Sequence, residues 1–216
     1  EGSVRAINAI QTSPNISFLI EERLISAAAF KTLTSVTRWD DLEYTFNFEV
    51  LFAGDTTRTR VASQFIDVVA DTDYTMLISG ALDAPDITVW ESSIREWTGS
   101  ETFFELRFAN ASPSLGAIDA YLLDPGSAPV LGSQIGTLAM AEITEMQEVE
   151  AAEKIVVFTP AGGAISTGPL TSVTVAPARA KASWSPPTTC RWPRPCASPW
   201  SSSGHCRRIV WKWFLC

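Results

Sequence analysis

The clearest pattern in the chain is the alternation in "EYTFNFEVLF" at residues 43–52. Tyr44, Phe46, Phe48 and Val50 share one face, and Glu43, Thr45, Asn47 and Glu49 share the other. A period of two marks a strand buried on one side in an antiparallel sheet. Shorter apolar runs stand around it: "SVRAINAI" (3–10), "ISFLIEE" (16–22), "SQFIDVV" (63–69), "YTMLISG" (74–80) and "DITVWE" (86–91). Turn formers separate them, namely Ser13-Pro14-Asn15, Gly54-Asp55 and Asp71-Thr72-Asp73. Short strands punctuated by turn signals about every ten residues predict a β-sandwich.

The pattern then restarts. Residues 93–101, within the polar stretch "SSIREWTGSE", read as a linker. Beyond it "VRAINA" (4–9) is echoed by "LRFANA" (106–111), an offset of 102 that aligns Arg5 with Arg107 and Asn8-Ala9 with Asn110-Ala111. A proline follows each copy, Pro14 and Pro113, and "EVLFAGDT" (49–56) has a looser echo in "IVVFTPAGGA" (155–164). Self-similarity at this spacing predicts two related β domains in tandem. The segment "LAMAEITEMQEVEAAEKI" (138–155) is rich in helix formers. Its repeat partner is the strand region around 35–50, and on that ground it is expected to be strand.

The repeat carries a resemblance. "NASPSLGAIDAYLLDPG" (110–126) resembles the opening signature of the bacterial "domain of unknown function 4397" family, in which an Asn/His-Ala-Ser-Pro turn leads into an Ile/Val-Asp-hydrophobic-Tyr strand. "DTDYTMLISG" (71–80) resembles that family's closing strand. The first copy departs from the pattern: "NAIQTSPNISFLI" has three extra residues before its proline and lacks the strand aspartate. The resemblance implies immunoglobulin-like or related β-sandwich modules, often tandem, in exported bacterial proteins, and it implies no established activity. The expected architecture is all-β, with two tandem antiparallel immunoglobulin-like β-sandwich domains. The first spans residues 1–92. The second, at 102–177, is expected to be incomplete, with an irregular tail at 178–216.

That tail differs in kind from what precedes it. It holds all four cysteines (Cys190, Cys196, Cys206, Cys216), the one histidine, His205, and five of the eight tryptophans (Trp184, Trp192, Trp200, Trp211, Trp213). It has seven basic residues and no acid, whereas residues 1–177 carry 24 acids against 9 basic residues. Pro, Ser, Arg, Trp and Cys without strand or helix period are what a GC-rich gene yields when read out of frame. One base back, each new codon takes its middle base from the first base of the old codon. Trp and Cys codons begin with T, and codons with a middle T encode only Phe, Leu, Ile, Met or Val. Every Trp and Cys of the tail would thus become apolar. A rival reading is a genuine cysteine-rich basic extension, since an even cysteine count in an exported chain can form two disulfides. A zinc site fits poorly, because no Cys-x-x-Cys pair occurs and His205 adjoins Cys206.

Charge and composition then narrow the chemistry. A body carrying −15 repels phosphate backbones, so nucleic acid is not an expected partner. No run of 18 apolar residues occurs, so no transmembrane segment is expected. Residues 1–177 contain no His or Cys, which removes the parts for a Ser-His-Asp triad, a Cys-His dyad or a histidine-ligated metal. "PAGGAISTG" (160–168) lacks the Lys-Ser/Thr of a phosphate loop and reads as a turn. Asp67, Asp71 and Asp73 could give oxygens to calcium, although Asp-Thr-Asp before a strand is more often a turn, and Asp40-Asp41 reads the same way. Asn15-Ile-Ser17 and Asn110-Ala-Ser112 match the N-glycosylation pattern. Trp39, Trp90 and Trp97 could form a sugar-stacking platform, against a commoner core or rim role.

The sequence therefore assigns no catalytic, cofactor-binding or metal-ligating residue. The expected function is a non-catalytic exported module of the bacterial cell envelope, structural, adhesive or spacer in role, with other envelope proteins or glycans as partners. The alternatives are a glycan- or calcium-binding module and a hydrolase built on paired carboxylates.

Overall fold

The computed structural model describes residues 1–96, 98, 101–112, 114–162 and 171–175. The tail 178–216, with its cysteines and His205, lies outside the described residues, as do Trp97 and most of the 160–168 turn. Among the described residues all regular structure is strand. No helix there is long and apolar enough to cross a membrane.

The first unit is built from β1 (Gly2–Asn8), β2 (Ile16–Ile20), β3 (Arg23–Ala28), β4 (Thr37–Trp39), β5 (Glu43–Val50), β6 (Thr59–Asp67), β7 (Thr72–Ala81) and β8 (Ala84–Ser93). They form two sheets, β4-β1-β7-β8 and β3-β2-β5-β6. The inward residues Val4, Ala6, Phe18, Phe46, Phe48, Tyr74, Met76 and Ile78 meet between them in one core. Phe18 stacks on Phe46 with ring centroids 5.6 Å apart. Each such side chain contributes about 1.5–3 kcal/mol by leaving water. Gly2 sits where a Cβ would lie 2.6 Å from Val68 Cγ1 and 2.7 Å from the Val69 carbonyl, so the first residue of β1 has no room for a side chain.

Three details depart from the sequence expectation. Strands β3 and β4 were not expected; β3 is half-exposed and β4 has three residues, too short to show a period. Asn47 points away from the core as expected, yet is buried, because it donates to the Glu21 carbonyl at 2.5 Å and accepts from Ser63 Oγ at 2.7 Å. The third is direction. β1 and β7 run parallel, with Ser3 opposite Asp73 through to Asn8 opposite Ile78. Parallel neighbours need a long crossover, and here the chain passes through the whole second sheet between them.

The second unit comprises β9 (Phe103–Leu106), β10 (Ile118–Leu123), β11 (Gly136–Leu138), β12 (Gln147–Glu150), β13 (Lys154–Pro160) and β14 (Thr171–Val175). Its sheets are β12-β9 and β11-β10-β13-β14, around a core of Phe104, Leu106, Phe108, Ile118, Ala120, Val156 and Phe158. Residues 138–155 supply the end of β11, all of β12 and the start of β13. Pairing and burial override their helix propensity.

Local geometry repeats between the units. The Ala6 N–H donates to Thr34 Oγ1 at 2.9 Å, and the Phe108 N–H donates to Thr144 Oγ1 at 2.9 Å. Asn8 Nδ2 donates to the Ala28 carbonyl, and Asn110 Nδ2 to the Leu138 carbonyl. Lys31 and Ala141 both adopt positive φ, 66° and 64°, and each donates its amide to the carbonyl of that asparagine. The units differ at one edge. β1 lies between β4 and β7, whereas among the described residues β9 pairs with β12 alone.

Candidate functional site

The most distinctive chemistry lies where the two units meet. Alternation in the first sheet turns Ser3, Arg5 and Ile7 of β1, Asp73, Thr75 and Leu77 of β7, and Trp90 and Ser92 of β8 away from the core. The second unit covers this face. At one end Ile7, Ala9, Leu77, Trp90 and Ala111 form a separate buried apolar cluster, with Met140, Ala141 and Ile143 against it. The Trp90 indole N–H donates to the Ala141 carbonyl at 3.1 Å, across the junction. That carbonyl belongs to a residue at positive φ, so the turn that presents it is the repeated one.

The middle of the junction is charged. Arg5 is buried and donates from Nε to Thr75 Oγ1 at 2.9 Å. Beside it Ser3 Oγ donates to Asp73 Oδ1. Arg107 reaches over from the second unit and donates to Ser92 Oγ at 3.3 Å and to the Glu91 carbonyl at 3.4 Å. Burial pushes the Arg5 guanidinium down to about 10, with the Asp73 charge opposing that shift and the Arg107 charge adding to it. Burial also lowers Arg107, opposed by Asp73 and Glu145. The two arginines that the sequence repeat aligns therefore approach one carboxylate from opposite units. A base whose folded-state pKa lies below its unfolded value weakens the fold wherever both states are charged, and for Arg5 that penalty fades only above about pH 10.

At the far end Arg95, just beyond β8, bridges Glu105 at 2.7 Å and Glu148 at 2.6 Å and lies over the Phe103 ring at 4.7 Å. Both carboxylates raise the Arg95 pKa, Glu148 first. Alongside the apolar end a groove of about 590 Å³ opens between Thr88 and Trp90 of β8 and Leu138, Glu142, Glu145 and Gln147 of the second unit.

The residues singled out in the sequence do not converge. Asp73 belongs to the junction. Asp71 occupies a turn at φ 58°, and the Asp67 carbonyl accepts from Tyr74 Oη at 3.2 Å. Among the described residues no three His, Cys, Asp or Glu side chains are grouped to hold a metal ion. Asp40 and Asp41 are exposed on the loop after β4. Trp39 and Trp90 lie at opposite edges of the sheet and on opposite faces, Trp39 against the core and edge-on to Tyr44, Trp90 buried in the junction. Asn15 is exposed ahead of β2. Asn110 is 1% exposed and internally bonded to the Gly116 and Leu138 carbonyls and the Ser112 amide, which closes it to glycosylation. The residues that sequence reasoning missed are Arg5, Arg107 and Trp90 in their junction roles. The only signal was the repeated arginine.

Comparison with protein families adds one match: the model for a domain of unknown function (DUF4397) covers residues 2–121, from the start of β1 into β10. A comparison with curated proteins finds no match. The matched stretch contains the whole first unit, the linker and the Asn-Ala-Ser-Pro turn that opens the second, and it spans more than half of the chain. On these grounds the protein belongs to the DUF4397 family.

Proposed function

We propose that the chain is a non-catalytic exported module of a bacterial envelope protein, acting as a structural, adhesive or spacer element. On this reading residues 102–177 are an incomplete second copy of the family fold and residues 178–216 are an out-of-frame tail. The observation that carries the functional part is the use made of the polar residues. Arg5 is buried, half-buried Asp73 holds the Ser3 hydroxyl beside it, and Arg107 of the second unit bonds Ser92 of the first. On this reading the cluster holds the two units in one relative orientation, which suits a structural or spacer element.

The test is a panel of chromogenic ester, peptide and glycoside substrates, run with cell fractionation of the source bacterium. The reading predicts no turnover above that of the Asp73→Asn variant and recovery of the protein outside the cytoplasm. Turnover abolished by replacing Glu142 or Glu145, which line the groove, would instead favour the carboxylate hydrolase.

A further inference from the structure

We infer that the second unit carries a self-cleavage site: the bond between Asp124 and Pro125 is cut in mild acid by the Asp124 side chain itself, leaving a nicked but associated chain. No external substrate is turned over, so the cut is independent of the non-catalytic role proposed for the module.

The bond lies in a connection that the first unit lacks. β2 and β3 are joined by two residues, Glu21 and Glu22, whereas their counterparts by sheet position, β10 and β11, are joined by twelve, 124–135. Residues 124–128 and 130–134 of that connection are exposed. Asp124-Pro125 is the one Asp-Pro pair in the sequence. It opens a tight turn in which the Ser127 N–H donates to the Asp124 carbonyl at 3.0 Å and Gly126 has φ 84°. Proline second, a left-handed glycine third and that closing bond make a type II turn.

The turn assembles the parts of an acyl transfer on one carbonyl. The nucleophile is the Asp124 carboxylate, whose side chain is 71% exposed and reaches its own backbone carbonyl carbon through a five-membered ring. Among the described residues the charged group facing it is Lys154 of β13, itself beside Glu150. Lys154 engages Oδ1 at 2.5 Å, which leaves Oδ2 to attack. The Ser127 N–H already sits on the oxygen that becomes negative. The leaving group is the Pro125 nitrogen, which has no hydrogen and, as a tertiary amide, takes a proton more readily than an ordinary peptide nitrogen.

Oδ2 forms a bond to the Asp124 carbonyl carbon, the C–N bond to Pro125 breaks, and the nitrogen leaves with a solvent proton as the amine of a new N-terminus. The cyclic anhydride on Asp124 takes up one water and opens to two carboxyl groups, with no oxidation or reduction. The carboxylate must be ionised while the nitrogen gains its proton, so the rate is highest in mild acid. The cut severs no strand: β10 stays paired with β11 and β13, and β9 with β12. The two pieces therefore stay together, and the segment from Pro125, with exposed Val130 and Leu131, gains a free end.

The experiment incubates the full-length chain with protease inhibitors at about pH 4.5 and about pH 7 and follows intact mass. The expected result is two fragments, 1–124 and 125–216, accumulating at the lower pH and co-eluting until denatured. Asp124→Asn removes the nucleophile and Asp124→Glu enlarges its ring, so both should stay whole. Gly126→Val strains the left-handed position and opens the turn, and should slow the cut by about tenfold. A chain that stays whole at about pH 4.5 would overturn the inference. So would a cut that survives Asp124→Asn, which is a contaminating protease, or fragments that separate without denaturant. A cut equally fast in Gly126→Val or in urea would overturn it too, since that is the ordinary lability of an Asp-Pro bond and owes nothing to the turn. The non-catalytic reading fails separately, on turnover of an added substrate.

Discussion

Replacing Asp73 by Asn removes the one negative charge that Arg5 and Arg107 share, while keeping an oxygen to accept from Ser3 Oγ. Nothing of the packing changes, so the loss is electrostatic. Stripping one partner from a buried ion cluster costs roughly 3–5 kcal/mol. With Asp73 and Arg107 both only half-buried, Arg5 alone buried and the Ser3 contact retained, the low end of that range, about 3 kcal/mol, is expected here. For a chain of this length that lowers Tm by roughly 6–12 °C. Urea unfolding read by tryptophan fluorescence gives the free energy, since Trp90 sits in the same junction. The decisive comparison is a double-mutant cycle. In an Arg107→Met background, Asp73→Asn should cost at least ~1 kcal/mol less than it does alone, because one of the two uncompensated charges has gone. A loss below ~1 kcal/mol, equal in both backgrounds, would refute the claim that this carboxylate joins the two units.

Other consequences can be checked in the same assay. Trp90→Phe removes the bond to the Ala141 carbonyl and should cost about 1 kcal/mol, and Trp90→Ala about 3–5 kcal/mol. Asn8→Ala and Asn110→Ala each leave a buried turn without its internal partners and should cost about 1–3 kcal/mol apiece. Gly2→Val drives a side chain into Val68 and the Val69 carbonyl and should cost roughly 1–3 kcal/mol, or dislodge the first residue of β1. Arg95→Ala removes one exposed and one partly covered ion pair, so the mutant Tm should respond less to added salt than the wild type. Sequencing the gene across codons 170–185 tests the tail: a single-base gain or loss is expected, and an intact frame would return the four cysteines to consideration.

What the sequence revealed follows from what its patterns encode. Alternation located β5 within two residues, because one face of that strand is core and the other is polar. It did not reveal β3 or β4, whose burial is mixed or whose length is too short for a period to appear. It also misjudged the environment of Asn47, since polarity says which face a residue takes but not whether another loop covers that face. The repeat identified Arg5 and Arg107 as equivalent but not as neighbours. Their meeting depends on a parallel register between residues 3–8 and 73–78, and on one unit folding back onto the other. Asp73 shows the same limit: read locally it belonged to a turn or a calcium loop, and only long-range pairing makes it a counter-ion.

The turn at Asp71 has a further consequence. Its left-handed backbone lets the amide donate to the Glu1 carbonyl at 3.1 Å while its own carbonyl accepts from the Ile94 amide at 2.7 Å. One residue thus ties together the place where the chain comes into the first unit and the place where it leaves. A body whose two ends are clasped can be grafted into a loop of another protein without stretching it, or reopened elsewhere with its old ends joined.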